Sequence, residues 1–592
     1  MSISKVNINK KIHSVMLYSF SIILSLLYSI IAVAQILGFF QLYIPLLTIP
    51  LSIILSILVS KFYISAGKNF WNLDAIDESD SSHLQIVAYI SGVILLFGLI
   101  LWPLFRWPFS GLQFPIEWDA AFYHFPKAIE LFRSGSFWDL SIPYGQYPNG
   151  YESLLSFGIS ILGNEYLFGF VHGLITLFLF LSIWLLGKRY TKISGAILFW
   201  GIAFVFVSGK LISYGNPWVI FTSLIYTIGK NDLFLGAVIL AFLLHSPIGR
   251  KKSDNPFLLE GMAILTMIGI SIKPNIIYVI APIWAYTGFL IWRKKEYLAN
   301  GFWKKMIVVT LITLPGILWI IRNLVVLQTI FTKTLLQTLN TKNVFSILFD
   351  PDFYSDISLI FVGLIFFGII SGTQFIRKKK PSLSILLTYY LLFFAFIITP
   401  ATIHVEGGTS RILIVWRFGI ALLGLFFILL LVLFEPLHIS FFKTIKTNKF
   451  FEISFSIIIL LLSIFIVWDQ RHLLQTGEVN KIVLLTPYKE PSSNTEYRDV
   501  YDFIQQNIRN SNIFIIEGLP YFTYGTNFTN SPTKLQYPLG QPDTVPQLTP
   551  EFLLVTPNYW NHEWPGELQN DELMASWHLI YKDESGKVFQ KD

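Results

Sequence analysis

The sequence predicts a polytopic α-helical membrane protein of about thirteen transmembrane helices, followed by a small C-terminal α/β soluble domain. Three observations predict this fold class. Of the 592 residues, 54% are hydrophobic and only 13% are charged, whereas an average soluble domain has about 25% charged residues. Apolar runs of about 17 to 25 residues recur, which is long enough to cross a hydrocarbon core of about 30 Å. Beyond about residue 470 these long runs stop and the charge density rises.

The first 469 residues carry all the long apolar runs. The first run follows Lys5, Lys10 and Lys11, and it is too long for the core of a signal peptide, so we interpret it as an uncleaved anchor. We therefore predict a transmembrane domain over 1–469 with one large loop at 106–150. The predicted spans are 13–37, 40–62, 85–105, 165–187, 193–209, 231–248, 257–272, 275–292, 305–326, 357–376, 383–402, 412–434 and 451–468.

Basic residues indicate the orientation of these spans. They cluster on alternate connections, which the positive-inside rule places in the cytoplasm. An odd number of spans from a cytoplasmic N-terminus then puts 106–150 and 470–592 outside the cytoplasmic membrane. The net charge of +7 therefore reflects topology and does not predict a nucleic-acid partner. The clusters are Lys61 with Lys68, Lys188 to Lys192, Arg250 to Lys252, Arg293 to Lys295, Arg377 to Lys380 and Lys443 to Lys449.

The region 470–592 has the pattern of a small α/β domain. Apolar residues from Tyr497 to Ile508 recur at helical spacing, and 512–518 and 551–556 have the composition of short strands. The final stretch is typical of a β-hairpin with its turn at 584–586. The sequence has no cysteine, which excludes disulfides and thiolate metal sites.

Carboxylates among aromatic residues in the loop 106–150 are the first candidate site. Glu117 and Asp119 lie within the stretch EWDAAFYHFP, together with Tyr123 and His124. An apolar setting raises the basicity of a carboxylate, so Asp119 is a candidate general base and Tyr123 and His124 are candidate substrate contacts. The alternative interpretation is a solvated loop without catalytic function.

Two further candidates lie at the predicted outer ends of later spans. Asp232 opens a span in Lys230-Asn231-Asp232, where helix capping explains a carboxylate equally well. Lys273, in Lys273-Pro274-Asn275, either binds an anion or extends to the lipid headgroups.

Cations on the predicted outer side are the third group, because the topology rule places few there. Arg322, Arg411 and Arg417 suit an anion such as the phosphate of a lipid substrate. His404 and Glu406 are candidate metal ligands, as is Asp232, but two residues in one loop predict a metal only weakly. The sequence predicts no definite cofactor and leaves a divalent metal open.

These motifs, in this order, resemble the GT-C superfamily of membrane glycosyltransferases, in particular bacterial protein O-mannosyltransferases and lipid A aminoarabinose transferases. The resemblance rests on WDAAFYHFP, YGQYPNGYES, KNDL, GISIKP and IRN. It implies that Asp119 acts at the reaction centre, with Glu117 as the other choice, and that Asp232 is the second acid. The family's adjacent Asp-Glu pair is replaced here by Glu-Trp-Asp, which leaves the identity of the base open between the two.

The chemistry that this resemblance implies is transfer of a sugar from a polyprenyl-phosphate donor to an envelope acceptor, with inversion at the sugar carbon. Asp119 would deprotonate the acceptor, while Lys273 and Arg322, with Arg417, would stabilise the departing phosphate. Two alternatives remain at this point. A flippase or transporter of lipid-linked sugars would use the same cations without catalysis, and a structural envelope protein would use neither. The absence of an internal repeat disfavours a transporter.

Overall fold

A computed structural model describes most of the helical part of the chain and much of its C-terminal part. The described residues are 8–67, 70–71, 83–106, 119–140, 142–207, 224–225, 228–248, 258–330, 381–397, 419–469, 495–534, 550–557, 564–565 and 576–592. Candidate residues Glu117, His404, Glu406, Arg411 and Arg417 lie outside these ranges.

Helices make up almost all of the described chain before residue 470, as the apolar runs predict. They are α1 (Ile8–Phe39), α2 (Pro45–Ala66), α3 (His83–Val93), α4 (Trp102–Arg106), α5 (Phe125–Ser134), α6 (Gly150–Leu162), α7 (Phe168–Tyr190), α8 (Gly195–Val207), α9 (Asp232–His245), α10 (Leu259–Ile272), α11 (Ile277–Arg293), α12 (Phe302–Thr313), α13 (Leu318–Leu327), α14 (Pro381–Ile397), α15 (Ile420–Thr447) and α16 (Lys449–Asp469).

Seven helical segments within the described ranges are long and apolar enough to cross a membrane. Four further apolar helices are shorter, among them α8, α9 and α10. The predicted span 357–376 lies outside the described residues, and each of the other twelve overlaps a described helix. The multi-spanning helical architecture is therefore confirmed, while the count of about thirteen spans stays a prediction.

The helices sort into a buried centre and an exposed periphery. Every residue of α9 is buried, and α7 and α10 pack against it. By contrast, α2 and α16 expose large apolar side chains, including Leu46 and Phe450 at 79% and 73% exposure. Such a surface is unfavourable in water at about 25 cal/mol per Å² of apolar area. We conclude that these faces contact lipid.

Polar contacts mark the two ends of this bundle. At one end, Arg189 near the end of α7 donates to the backbone carbonyls of Leu244, in the last turn of α9, and of Ser246, just after it. At the other end, Lys230, two residues before α9 begins, pairs with Asp119 of the large loop. The basic connections predicted to be cytoplasmic and the loop predicted to be outside thus lie at opposite ends of α9.

The described residues of the C-terminal part form one α-helix and a five-stranded mixed sheet. Helix α17 (Thr495–Asn507) precedes strands β1 (Asn512–Ile516), β2 (Ser531–Lys534), β3 (Phe552–Val555), β4 (Trp577–Lys582) and β5 (Lys587–Lys591). The strand order is β2-β1-β3-β5-β4, with β1 parallel to β2 and β3, and β5 antiparallel to its neighbours. The predicted helix, both predicted strands and the predicted hairpin are confirmed.

The C-terminal part packs directly on the large loop. Arg133 of α5 donates to the Asn530 carbonyl at 2.7 Å and to the Ser531 hydroxyl at 2.8 Å. Ala121 and Phe122 share one apolar cluster with α17 and the sheet. The loop and the C-terminal part therefore lie on the same side of the bundle. This agrees with the charge pattern, which predicts that both are outside.

Candidate functional site

A widened helical turn presents Asp119. The chain forms a π-helical turn over Ala120–His124, closed by the Phe125 N–H donating to the Ala120 carbonyl, before α5 begins. Pro126 has no N–H to donate, and in a regular α-helix its ring would clash with the carbonyl four residues earlier, so a widened turn is the local solution. Turns of this kind occur frequently at functional sites. Asp119, just before this turn, has 22% of its side chain exposed.

Lys230 is the cation that faces Asp119. Its ammonium lies 3.6 Å from the Asp119 carboxylate, and only 5% of its side chain is exposed. The preceding Gly229 has φ +98, and a Cβ there would lie 2.2 Å from that of Ala120. Only glycine fits this approach. The close backbone contact carries Lys230 to the carboxylate, a partner that the sequence analysis did not single out.

A second ion pair lies two residues further along. Asp232 opens α9, where a carboxylate interacts favourably with the helix dipole, and it pairs with the ammonium of Lys273. Asp232 is buried, and Lys273 has 21% of its side chain exposed. The two residues predicted separately are therefore partners. Lys273 supplies a counter-ion of Asp232, and a metal at Asp232 stays a prediction.

Close packing connects the start of α6 to both pairs. A Cβ on Gly150 would lie 2.6 Å from the Ser271 carbonyl near the end of α10, so only glycine allows this contact. The next residue, Tyr151, accepts a hydrogen bond from the Gly229 N–H at 3.1 Å through its phenol oxygen. Helix α6 thereby links the turn before Lys230 to the helix end before Lys273.

A buried carboxylate with two nitrogen partners lies on the same helix. Glu152 is 2% exposed, with its carboxylate 2.7 Å from His124 Nδ1 and 3.7 Å from the Lys127 ammonium. Burial raises the pKa of Glu152, but the Lys127 charge and the His124 hydrogen bond outweigh it and hold that pKa below its usual value. His124, predicted as a substrate contact, is thus oriented by Glu152.

Lys127 is the buried cation of this group. Its ammonium also donates to the Pro148 carbonyl at 3.2 Å. Burial lowers its pKa to about 8, although Glu152 acts in the opposite direction. The sequence analysis missed Lys127 and Glu152, because a lysine in an amphipathic helix has the pattern of a solvent-exposed residue. Their one signal was position: Lys127 follows His124 by three residues, which places both near one helix face.

Tyrosine rings surround the turn after Asp119. The Tyr123 ring lies 4.0 Å from the His124 ring and 4.8 Å from the Tyr144 ring, centroid to centroid. Tyr144 has φ +55, a left-handed conformation that is strained for a tyrosine, and its ring is 5.3 Å from that of Tyr147. These half-buried aromatic faces suit contact with the apolar face of a sugar ring.

Arg322 has contacts other than those the sequence predicted. It is 1% exposed and donates to the carbonyls of Phe137 at 3.0 Å and Gly145 at 2.9 Å, and to the side-chain oxygen of Asn323. Asn323 in turn donates to the Gln146 carbonyl. The guanidinium of Arg322 thus anchors the large loop to α13, and its binding of a donor phosphate stays a prediction.

Charge is balanced in the described part of this site. Asp119, Asp232 and Glu152 face the cations Lys230, Lys273 and Lys127 respectively. The described residues contain no group of three or more His, Cys, Asp or Glu side chains that would hold a metal ion. Asp119 and Lys273 are partly exposed, and their partners Lys230 and Asp232 are buried. A partly exposed carboxylate and a partly exposed ammonium suit a substrate that brings both a hydroxyl and an anion.

Comparison with known proteins gives similar solved structures. Among them are two crystal structures of ArnT from Cupriavidus metallidurans, one in the apo state and one bound to undecaprenyl phosphate. Identities are 15% and 14%, TM-scores are 0.47 and 0.46, and each alignment covers 84% of this chain and 97% of the other. No family model matches the sequence, and no curated protein matches it.

Proposed function

We propose that this protein is a membrane glycosyltransferase that moves a sugar from a polyprenyl-phosphate donor to a hydroxyl group of an envelope lipid, glycan or protein. The observation that carries the proposal is the ion pair between Asp119 and Lys230, with the pair between Asp232 and Lys273 beside it in the chain. Charged groups at the edge of an apolar bundle are costly and mark functional sites. The sequence resemblance to GT-C enzymes supports the same chemistry.

The proposed reaction begins with the donor phosphate at the exposed ammonium of Lys273. A phosphate there competes with Asp232 for the Lys273 ammonium. Lys230, two residues before Asp232, provides a second positive charge. These cations stabilise the negative charge that develops on the leaving phosphate as the bond to the sugar breaks.

The acceptor side of the reaction uses Asp119. Its partly exposed carboxylate takes the proton of the acceptor hydroxyl, and the resulting oxygen nucleophile attacks the sugar carbon as the phosphate departs. Direct displacement of this kind inverts the configuration at that carbon. Glu117 remains the alternative base. Tyr123, backed by His124, is placed to contact the sugar.

The proposed location is the cytoplasmic membrane, with the N-terminus in the cytoplasm and the C-terminal domain 470–592 outside. The packing of that domain on the large loop supports a common side for the two. The positive-inside pattern supports the outer side. A reporter fused after Trp468 tests this orientation, and a cytoplasmic signal would reverse it.

The test of the proposed function is Asp119→Asn in the purified full-length protein, assayed with a panel of undecaprenyl-phosphate sugars and envelope extracts as acceptors. We expect transfer to fall below about 1% of wild type, while binding of undecaprenyl phosphate is retained. The matched control is Asp139→Asn, which changes an exposed carboxylate of the same loop and keeps wild-type transfer.

Full transfer by Asp119→Asn would refute Asp119 as the base, and Glu117→Asn would then be the next variant. If the wild-type protein moves the lipid across the membrane of vesicles without forming a new glycosidic bond, the proposed enzymatic function is refuted and the protein is a transporter.

A further inference from the structure

The C-terminal domain contacts the large loop through one aromatic residue that the proposed reaction does not use. Tyr521 lies in the short 3₁₀ turn Pro520–Thr523. Its ring centroid is 5.0 Å from that of Phe125, in an edge-to-face arrangement, and its phenol group interacts with the side chain of Glu165, just before α7. Tyr521 is therefore held between the first residue of α5 and the bundle.

Phe125 connects this contact to the Asp119 turn. It is fully buried, and its N–H closes the π-helical turn that follows Asp119. Any movement of the Phe125 backbone changes this turn, because the hydrogen bond from its N–H sets the turn's width.

The same ring also touches the backbone that carries Lys230. A Cβ built on Gly229 would lie 3.0 Å from two ring carbons of Phe125, so the ring packs against the glycine backbone itself. Phe125 thus contacts both the turn that follows Asp119 and the glycine that precedes Lys230. Tyr521 packs on that side chain from the direction of the C-terminal domain.

Other contacts hold the domain in place without Tyr521. Arg133 bonds both the Asn530 carbonyl and the Ser531 hydroxyl, and its guanidinium lies 5.8 Å from the centroid of the Tyr524 ring. Asn530 is fully buried and donates to the carbonyls of Ile508 and Thr523. Loss of the Tyr521 ring therefore leaves the docking contacts of Arg133 intact.

We infer that Tyr521 is a positioning residue for the Asp119–Lys230 pair, acting through the ring of Phe125, so that the C-terminal domain contributes to the reaction without touching substrate. The inference rests on the proposed function for its kinetic consequence. Its structural consequence, tighter order in the turn after Asp119, is independent of the activity.

The experiment compares Tyr521→Ala with Tyr521→Phe and with Phe503→Ala in the full-length protein. Phe503 is the matched control, since its ring stacks on Tyr581 at 4.4 Å elsewhere in the C-terminal part. A misplacement of about 1 Å in a catalytic group costs up to about a hundredfold in rate. We expect Tyr521→Ala to lower kcat by about ten- to a hundredfold with KM for the donor within about twofold.

The control variants separate positioning from general stability. Tyr521→Phe keeps the ring and is expected to restore kcat to within about threefold of wild type. Phe503→Ala is expected to lower the thermal stability of the domain without this change in kcat. Equal losses of kcat in Tyr521→Ala and Phe503→Ala would overturn the inference.

Hydrogen–deuterium exchange provides the readout that does not depend on activity. In Tyr521→Ala we expect faster exchange in peptides spanning 119–131, and in Phe503→Ala we expect wild-type exchange there. Unchanged exchange in Tyr521→Ala would refute the positioning contact. If the wild-type protein has no transfer activity but the two variants show the expected exchange, the proposed function is refuted and the positioning contact is established.

Discussion

Replacing Glu152 by glutamine tests the buried charge group beside the proposed site. The change keeps the size of the side chain and one acceptor for His124, but it removes the negative charge that lies 3.7 Å from the Lys127 ammonium. Lys127 is 5% exposed, and its remaining hydrogen-bond partners include the carbonyls of Tyr147 and Pro148. The variant therefore leaves a buried cation without its counter-ion.

The size of the effect follows from the pKa of Lys127. Removing one partner of a buried ion pair costs about 3–5 kcal/mol when the other charge must stay. Lys127 has another option, because burial already lowers its pKa to about 8. At pH 7 the neutral lysine lies only about 1.4 kcal/mol above the charged form. The charge-related loss at pH 7 is thus limited to about 1.4 kcal/mol, and weakening of the His124 hydrogen bond adds about 1 kcal/mol.

The sign of the pH dependence is fixed by the same reasoning. Each pH unit below 8 makes loss of the lysine proton about 1.4 kcal/mol harder, so the deficit of Glu152→Gln grows as the pH falls. The deficit levels off at about 3–5 kcal/mol at low pH, where Lys127 keeps its proton and stays unpaired. Above pH 8 the deficit is smallest, because Lys127 is already mostly neutral.

The assay is thermal unfolding in detergent at pH 6, 7 and 8.5, for wild type, Glu152→Gln and the double variant Glu152→Gln with Lys127→Met. The difference in Tm between Glu152→Gln and wild type should widen toward pH 6. The double variant, which removes both charges, should show the same difference in Tm from wild type at pH 6 and pH 7, where Lys127 of the wild type stays mostly charged. A Glu152→Gln deficit that is constant or shrinks toward pH 6 would refute the coupling between Glu152 and Lys127.

Three further outcomes are expected. The pKa of Lys127 in the folded protein, about 8, lies below the usual 10.5 of a lysine. The bound proton therefore opposes folding, and wild-type stability, measured by thermal unfolding, should rise between pH about 8 and 10.5. Arg322→Lys, which cannot match the forked donors, should lose about two charged hydrogen bonds and about 3–6 kcal/mol of stability, measured by thermal unfolding, and wild-type stability in this variant would contradict the anchoring role. Transfer should persist after treatment with EDTA, since Asp232 has Lys273 as its partner; recovery of lost activity by added Mg²⁺ or Zn²⁺ would instead indicate a metal.

The parts of the fold that the sequence predicted are those with a local signal. Apolar runs locate the helices because a membrane span needs about 20 apolar residues, and the hairpin is marked by Glu584-Ser585-Gly586. In the structure, the Asp583 carboxylate accepts hydrogen bonds from the Ser585 and Gly586 N–H groups, which fixes that turn. The parallel pairing of β1 with both β2 and β3 depends on contacts between distant segments, and no local pattern encodes it.

The candidate site was predicted in part for the same reason. Asp119, Asp232 and Lys273 were found because charges next to apolar runs are rare. Lys230 stands beside Asp232 in sequence, yet only the close packing of Gly229 shows that its ammonium faces Asp119. The contacts of Arg322 could not be predicted, because charge patterning shows where a cation lies but not that it donates to backbone carbonyls of the loop.

The pairing of the charges favours the proposed catalysis over simple anion binding. A site built only to hold a lipid phosphate would gain from cations free of carboxylates, since each carboxylate competes with the phosphate for its lysine. Here Lys230 faces Asp119 and Lys273 faces Asp232. A phosphate that draws a lysine toward itself leaves the carboxylate with a weaker counter-ion, and that raises its basicity. In the proposed reaction, a donor phosphate that draws Lys230 toward itself would therefore make Asp119 a stronger base, a coupling that serves glycosyl transfer and has no use in transport.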